Sequence, residues 1–92
     1  MKKIKEIFVG DIVKSTQGHD QGKFSLVVKR VGDDYVMMVD GERRKVDSPK
    51  LKKIKHIVLA VRDEKTAKLV EDGNLTNQAV KDILNQYIMQ QR

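Results

Sequence analysis

Short apolar segments, most of them interrupted or followed by glycine or proline, follow one another through the first 61 residues of the sequence. Residues 24–29 have one strongly apolar face with the period of a β-strand, since Phe24, Leu26 and Val28 alternate with Ser25, Val27 and Lys29. Tyr35–Val39 is rich in residues that favour sheets. Five such segments are too few for a large sandwich, whereas a small closed or nearly closed barrel leaves no exposed strand edges. The sequence therefore predicts a mainly β fold, a five-stranded barrel over residues 1–61.

The dipeptide Asp40-Gly41 is the strongest hairpin signal in the chain, because a two-residue turn needs positive φ values that glycine adopts without cost. Residues 42–46, ERRKV, are the predicted partner strand, and Pro49 ends it because proline cannot donate to a ladder. Asp40 and Gly41 are therefore expected to have a structural role in the turn.

The segments on either side of this hairpin are predicted from their spacing. Residues 7–13 predict a first strand that is interrupted at its glycine and aspartate. Residues 51–57 carry leucine or isoleucine at every third position, which predicts a tight helical turn that leads into a last strand at residues 57–61.

Residues 62–92 predict a helical tail of one or two helices. Asp63 is predicted to cap a short helix at residues 65–72, and Thr76 a second helix. The second helix carries an apolar stripe with helical spacing, formed by Val80, Ile83, Leu84, Tyr87 and Ile88. The barrel, the same helix of a second chain or a foreign partner could bury this stripe, so self-association or a protein partner stays open. The tail is nearly neutral, and we expect it to be a poor anchor for a polyanion.

The excess of positive charge lies in one part of the chain. The sequence has 19 Lys and Arg against 13 Asp and Glu, a formal net charge of +6. Residues 1–56 hold 14 basic and 8 acidic side chains, whereas residues 57–92 hold 5 of each. A one-sided basic surface is typical of a protein that binds nucleic acid or an anionic membrane, although solubility alone also explains a basic protein.

Several classes of function are disfavoured by what the sequence lacks. Cysteine is absent, which excludes disulfides and thiolate metal sites. His19 and His56 are the only two histidines, and no P-loop or dinucleotide fingerprint is present, so we expect no metal, no cofactor and no catalysis. No apolar run approaches the roughly 18 to 20 residues of a membrane span, and Glu6 and Asp11 interrupt any signal-peptide core. A cytoplasmic protein without a membrane partner is therefore predicted.

Glycines, an apolar strand and a basic segment recur in a recognisable order between residues 8 and 57. The features are GDIV at residues 10–13, Gly18, Gly22-Lys23, the strand at residues 24–28, the Asp40-Gly41 hairpin and PKLKKIKH at residues 49–56. With these features the chain resembles the KOW-motif RNA-binding family. Within that family it is similar to bacterial relatives of a KOW-containing large-subunit ribosomal protein of archaea and eukaryotes, and its tail GNLTNQAVKDILNQY resembles their helical tail.

This resemblance implies an SH3-like barrel that binds structured RNA, usually ribosomal, without catalysis. Relatives of the same barrel in transcription elongation factors contact proteins instead. A protein-interaction module of the transcription or ribosome-assembly machinery is therefore the alternative. An uncovered apolar patch would favour that alternative, whereas RNA needs only a basic face.

Basic side chains are the main candidate RNA contacts, because phosphate contacts by Lys and Arg give salt-sensitive affinity. The lysines of residues 50–55 are expected to be exposed, although a solvated strand edge is the ordinary alternative. In the loop at residues 14–23, Gly18 and Gly22 either let the backbone approach a ligand or satisfy turn geometry. The candidate RNA-binding residues are Lys14, Ser15, His19, Lys23, Arg43, Arg44, Lys45, Lys50, Lys52, Lys53 and Lys55.

The few aromatic residues narrow the kind of RNA expected. Phe8 and Phe24 lie in apolar strand patterns and are predicted to be core residues. No row of aromatic side chains is then left to stack successive bases, which disfavours single-strand binding. Duplex or folded RNA, recognised by its shape and phosphates, is the better match.

Overall fold

The computed structural model describes residues 6–90, and over this range it contains five strands, one 3₁₀ turn and two α-helices. The elements in chain order are β1 Asp11–Ser15, β2 Phe24–Val31, β3 Tyr35–Val39, β4 Lys50–Lys53, the 3₁₀ turn Ile54–His56, β5 Ile57–Arg62, α1 Glu64–Glu71 and α2 Asn77–Gln90. The prediction of a mainly β chain with a helical tail is confirmed. None of the helices in the described range is long and apolar enough to cross a membrane.

The strands form one antiparallel sheet in the order β4-β3-β2-β1-β5. Strands β4 and β5 are therefore the two edges, and no backbone pairing joins them within residues 6–90. The predicted number of strands is confirmed, but the sheet is not closed as a barrel by hydrogen bonds. The pairing shifts register once between β1 and β5 and once between β2 and β3, and such bulges increase the local twist of a sheet.

Both faces of the sheet are buried over its central strands. Because neighbouring residues of a strand point to opposite faces, Ile12 and Val13 of β1 belong to two different hydrophobic clusters. The cluster on the face of Val13, which we call the inner core, consists of Ile7, Val13, Val27, Val36, Met38, Ile54 and Ile57.

Helix α2 covers the opposite face of the sheet. Val80 and Leu84 are buried against Ile12, Leu26 and Val39 in what we call the helix-side core. Ile83, Tyr87 and Leu75 pack around this cluster. Four of the five stripe residues thus pack against the sheet of the same chain, one of the three partners that the sequence left open, whereas Ile88 is outside this cluster. The hydroxyl Oγ1 of Thr76 accepts from the amide of Ala79 at 3.1 Å, so the predicted cap is confirmed.

The segment before β1 departs from its sequence prediction. Residues 7–9 do not form a strand, since the chain turns at Val9 and Gly10 and β1 begins at Asp11. Phe8, predicted to be core, is 50% exposed, and the Arg62 guanidinium lies 4.8 Å from its ring centroid. The buried side chain is Ile7 instead.

Asp11 explains why this segment is not extended. Its carboxylate is 1% exposed and accepts from the amide of Phe8 at 2.8 Å, which bends the chain back over β1. The same carboxylate accepts from Nε and Nη2 of Arg62 at 2.9 and 3.0 Å. These hydrogen bonds raise the pKa of Arg62, and they join the start of β1 to the end of β5.

The connection between β3 and β4 is a loop, so the prediction that residues 42–46 form the partner strand is wrong. Oδ1 of Asp40 accepts from the amides of Glu42 and Arg44, both at 2.9 Å, and the amide of Asp40 donates to the Arg44 carbonyl at 2.9 Å. These bonds fold residues 40–44 into a compact turn and use backbone donors that a ladder would need. The strand that pairs with β3 is β4, after Pro49.

Residues 50–53 form a strand, and the predicted helical turn is confined to Ile54–His56. In the pairing of β4 with β3, Lys52 lies opposite Val36 and Lys53 opposite Tyr35. Neighbouring side chains of a strand point to opposite faces of the sheet. Because paired residues share a face of the sheet, Lys52 is directed toward the inner core and Lys53 away from it.

Candidate nucleic-acid interface

Lys52 is 8% exposed, so the expectation that it lies on the surface is wrong. Its Nζ atom donates to Oδ1 of Asp20 and to the carbonyl oxygen of Gln17, both at 2.8 Å. The side chain therefore connects β4 to the loop between β1 and β2 instead of presenting a charge to a ligand. Its position on the inner face of β4, opposite Val36, is the physical reason.

Asp20 is the acceptor around which this loop is arranged. Its carboxylate also accepts from the Ser15 hydroxyl at 3.0 Å, and Nζ of Lys50 lies 3.8 Å away. Burial would raise the pKa of Asp20, but the hydrogen bonds from Lys52 and Ser15 and the nearby lysine charges outweigh it, so the pKa is lowered. Ser15 is 1% exposed, and its expected role as an exposed hydrogen-bonding partner of RNA is not compatible with that burial.

We expect Asp20→Ala to lower the free energy of unfolding by about 2 kcal/mol, because it leaves the Lys52 ammonium buried without its counter-charge. Fully buried pairs cost roughly 3–5 kcal/mol on breaking, and Asp20 is still 18% exposed. Asp33→Ala, which alters an exposed aspartate in a turn, is the matched control and should change stability by less than about 0.5 kcal/mol. Urea denaturation of the three proteins measures the difference.

The same interaction should depend on pH. The pKa of Asp20 is lower in the folded chain than the roughly 3.9 of an unfolded aspartate. Its stabilisation is therefore fully present above that unfolded value and is lost as pH falls through the folded pKa. In denaturation series from pH 7 to pH 2, the parent should lose more stability than Asp20→Asn over the acidic range. Equal losses in the two proteins would contradict the assignment.

The loop between β1 and β2 closes on its own backbone. The amide of Gly22 donates to the carbonyl of Ser15 at 2.8 Å, and that of Gln21 to Gly18 at 3.2 Å. Gly18 and Gly22 have φ values of 95° and 84°, which L side chains rarely adopt. Both glycines thus adopt the backbone conformation that the turn requires. The hydrogen bonds within the loop also occupy backbone amides that could otherwise donate to a phosphate.

Two depressions open next to each other where this loop meets the loop between β3 and β4. The first, which we call the inner cleft, has a volume of about 320 Å³. It is lined by His19, Asp20, Lys23, Ser25, Met38, Asp40, Arg43, Arg44 and Lys50. Five candidate RNA contacts from three separate segments therefore converge on one cavity: His19, Lys23, Arg43, Arg44 and Lys50.

The second depression, which we call the helix cleft, lies between the two loops and α2. It has a volume of about 440 Å³ and is lined by Gly22, Lys23, Phe24, Asp40, Glu42, Arg43, Lys81, Leu84, Asn85 and Ile88. Lys23, Asp40 and Arg43 line both clefts, so the clefts form one continuous surface.

The remaining candidate contacts do not line either of these two clefts. Lys14 lies with its Nζ 5.8 Å from the ring centroid of Phe24, on the face of the sheet that α2 covers. Lys53 lies beside Tyr35, with its Nζ 6.0 Å from that ring centroid. Lys45 and Lys55 are exposed elsewhere on the described surface. The basic patch predicted as one set is therefore divided among several surfaces.

Lys81 and Asn85 were missed at the sequence level. They are four residues apart on α2, which places them on the same side of the helix, and both line the helix cleft. Their positions next to the stripe residue Leu84 on the helix could have indicated them. That position predicts a role in the cleft only when the face of α2 that packs on the sheet is known.

Phe24 is half-buried at the junction of the helix cleft and the helix-side core. Its ring contacts Tyr87 edge to face, with 5.3 Å between the centroids. Phe24 packs on the helix-side core as predicted, but part of it also lines a surface depression.

Groups of three or more His, Cys, Asp or Glu that could hold a metal ion do not occur within residues 6–90. No protein-family model matches the sequence, and no match is found among curated proteins.

Proposed function

We propose that this chain is a non-catalytic, cytoplasmic RNA-binding protein that binds structured RNA, with ribosomal RNA the expected target, through the surface formed by the two clefts. One observation carries the proposal. Cationic side chains from the β1–β2 loop, the β3–β4 loop and β4 converge on the inner cleft, although they are far apart in the sequence. Phosphate groups are the ligands that such a cluster of Lys and Arg prefers.

The charges of this surface support an anionic ligand. No ion pair within residues 6–90 joins Lys23, Arg43 or Arg44 to a carboxylate. The two aspartates of the inner cleft are otherwise engaged, Asp20 by lysines and Asp40 by backbone amides. The two arginines and Lys23 are thus exposed and not paired with a carboxylate, and the four cations of the inner cleft outnumber its two aspartates, which favours binding of a polyanion.

We also propose that the sheet is an SH3-like fold of the KOW type. The positions that carry the resemblance have defined structural roles here. Gly10, with φ of 94°, packs so tightly on α1 that an added Cβ would lie 2.6 Å from the Ala67 backbone. Asp40 and Gly41 form the compact turn at the end of β3. These roles explain the glycine and aspartate positions without reference to RNA, so the binding proposal depends on the cations.

Salt dependence is the direct test. If about four phosphates are held, log affinity should fall against log salt concentration with a slope of roughly −3 to −4. Fluorescence titration of a labelled ribosomal RNA hairpin at several salt concentrations measures the slope. A DNA duplex of the same sequence is the control for shape, since only the RNA is A-form with 2′-hydroxyls. Affinity that does not change with salt would show that phosphate contacts are not the source of binding.

The alternative function, a protein-interaction module, is favoured by one surface feature. Leu51 of β4 is 50% exposed and is paired with Met37, on the face of the sheet that α2 packs against, and Val31 of β2 is 37% exposed. Neither residue lines one of the two clefts. The same titration separates the two functions. If the chain has no affinity for RNA even at low salt, the apolar surface becomes the better candidate and protein crosslinking in cells the appropriate assay.

A further inference from the structure

The helix cleft differs from the inner cleft in having an apolar floor. Leu84 is buried and Phe24 and Ile88 are half-buried, and all three line the cavity. Phe24 is held in place by its edge-to-face contact with Tyr87. A volume of about 440 Å³ lies within the roughly 300–1,000 Å³ typical of small-molecule sites. A phosphate alone would not use such a floor, since it gains nothing from apolar contact.

Polar and charged groups surround this floor. Asn85 and Glu42 are exposed, and their side chains offer an amide and a carboxylate. Lys23, Arg43 and Lys81 add three positive charges to the lining of the same cavity. The combination of an apolar surface, directional hydrogen-bonding groups and several cations matches a nucleotide, which has a flat base with a polar edge and an anionic phosphate.

Lys81 is positioned by the turn that carries the arginines. A Cβ atom added at Gly41 would lie 2.9 Å from Cγ of Lys81 and 2.6 Å from the carbonyl oxygen of Asn77. The loop and α2 are therefore in close contact at this point. The side of the cleft formed by α2 and the side formed by the loop are held together before any ligand binds.

We propose that the helix cleft receives one unpaired base that is extruded from folded RNA. The base contacts Phe24, Leu84 and Ile88, its edge meets Asn85 and Glu42, and the flanking phosphates lie near the cations. This inference rests on the proposed function and deepens it, because it names an unpaired nucleotide as what the surface recognises. It also gives α2, nearly neutral in charge, a direct part in binding RNA.

Glu42 gives the site a preference among bases. An ionised carboxylate is an acceptor only, so it favours a base edge that offers an exocyclic amino group. Adenine, cytosine and guanine carry one, whereas uracil has none and offers only its ring N3–H, between two carbonyl oxygens, as a donor. Uracil should therefore be the weakest base in this cleft.

The test uses the full chain and two RNA hairpins that differ by a single bulged adenosine. We expect the parent to bind the bulged hairpin about ten-fold more tightly, the size of one base-stacking contact. Asn85→Ala should reduce this preference several-fold, because its affinity should fall more for the bulged hairpin than for the fully paired one. Gln86→Ala, an exposed neighbour on α2 that does not line the cleft, is the matched control. Thermal melting confirms that both variants fold.

A bulged uridine should bind more weakly than a bulged adenosine, and Glu42→Gln, which offers a donor, should reduce that difference. Adenosine monophosphate should not compete at concentrations where the bulged hairpin saturates, whereas tighter binding of the free nucleotide would overturn the assignment to RNA. Equal affinity of the parent for both hairpins would overturn the inference and leave the proposed function in place. If neither hairpin binds at low salt, the proposed function fails and the inference with it.

Discussion

Replacing Lys23, Arg43, Arg44 and Lys50 together with glutamine is expected to lower the affinity for structured RNA about 100-fold at physiological salt. Each side chain lines the inner cleft, and none is buried. Removing one phosphate contact reduces the steepness of the salt dependence by about one unit, so most of the slope should disappear with the affinity. Lys52 is left unchanged, because its ammonium is bonded to Asp20 and its loss would disturb the loop.

The control for this variant has the same change in charge at other positions. In the control variant, glutamine replaces four lysines that line neither cleft: Lys14, Lys45, Lys53 and Lys55. Both quadruple variants lower the net charge from +6 to +2, since each loses four positive charges. If RNA binding requires the clefts, the control should keep most of its affinity. Equal losses in both variants would mean that net charge, and not this surface, determines binding.

Gly41→Ala should be the most destabilising of the single substitutions considered, with a loss of about 3–4 kcal/mol in the free energy of unfolding. The φ value of 85° is costly for alanine, and the new Cβ would lie 2.6 Å from the Asn77 carbonyl oxygen. Backbone of α2 would have to move to relieve this contact. Such a loss is a large share of the roughly 5–15 kcal/mol that stabilises a native domain.

Gly22→Ala separates the two causes. Gly22 has nearly the same φ, 84°, but a Cβ there meets nothing within 4 Å. Its substitution should therefore cost only the backbone strain, about 1–2 kcal/mol. Urea denaturation midpoints of both variants and the parent provide the comparison. If the two substitutions are equally destabilising, the contact between the loop and α2 adds no cost beyond the backbone strain.

Local patterns in the sequence predicted the features that depend on neighbouring residues. The alternation of β2, the composition of Tyr35–Val39 and the Asp63 and Thr76 caps are properties of a few consecutive positions, and each is found where it was predicted. The stripe of α2 was also evident, because helical spacing identifies an apolar face. Which surface that face contacts depends on the rest of the chain, and it became known only from the fold.

The errors concern side chains whose environment is set by distant partners. Lys52 was counted with its exposed neighbours, but it is bonded to a carboxylate 32 residues away. Phe8 was assigned to the core, but the hydrogen bonds that Asp11 accepts from Phe8 and Arg62 place Ile7 inside instead. The predicted partner strand of the hairpin does not form, because the Asp40 carboxylate accepts from backbone amides that a β-ladder would need. Charge and hydropathy alone do not report such pairings.

The hydrogen bond from the Val46 amide to Oδ1 of Asn77, at 2.8 Å, has a consequence for the energetics of recognition. It fastens the arginine-bearing loop, two residues after Arg44, to the first residue of α2, on the side where Gly41 already contacts that helix. A ligand that engages Arg43 or Arg44 therefore meets a surface whose conformational entropy was already lost on folding, so less of its binding energy is spent on ordering the loop. By thermodynamic linkage, a change that loosens α2 from the sheet must weaken ligand binding, and the bound ligand must in return stabilise the packing of α2 on the sheet.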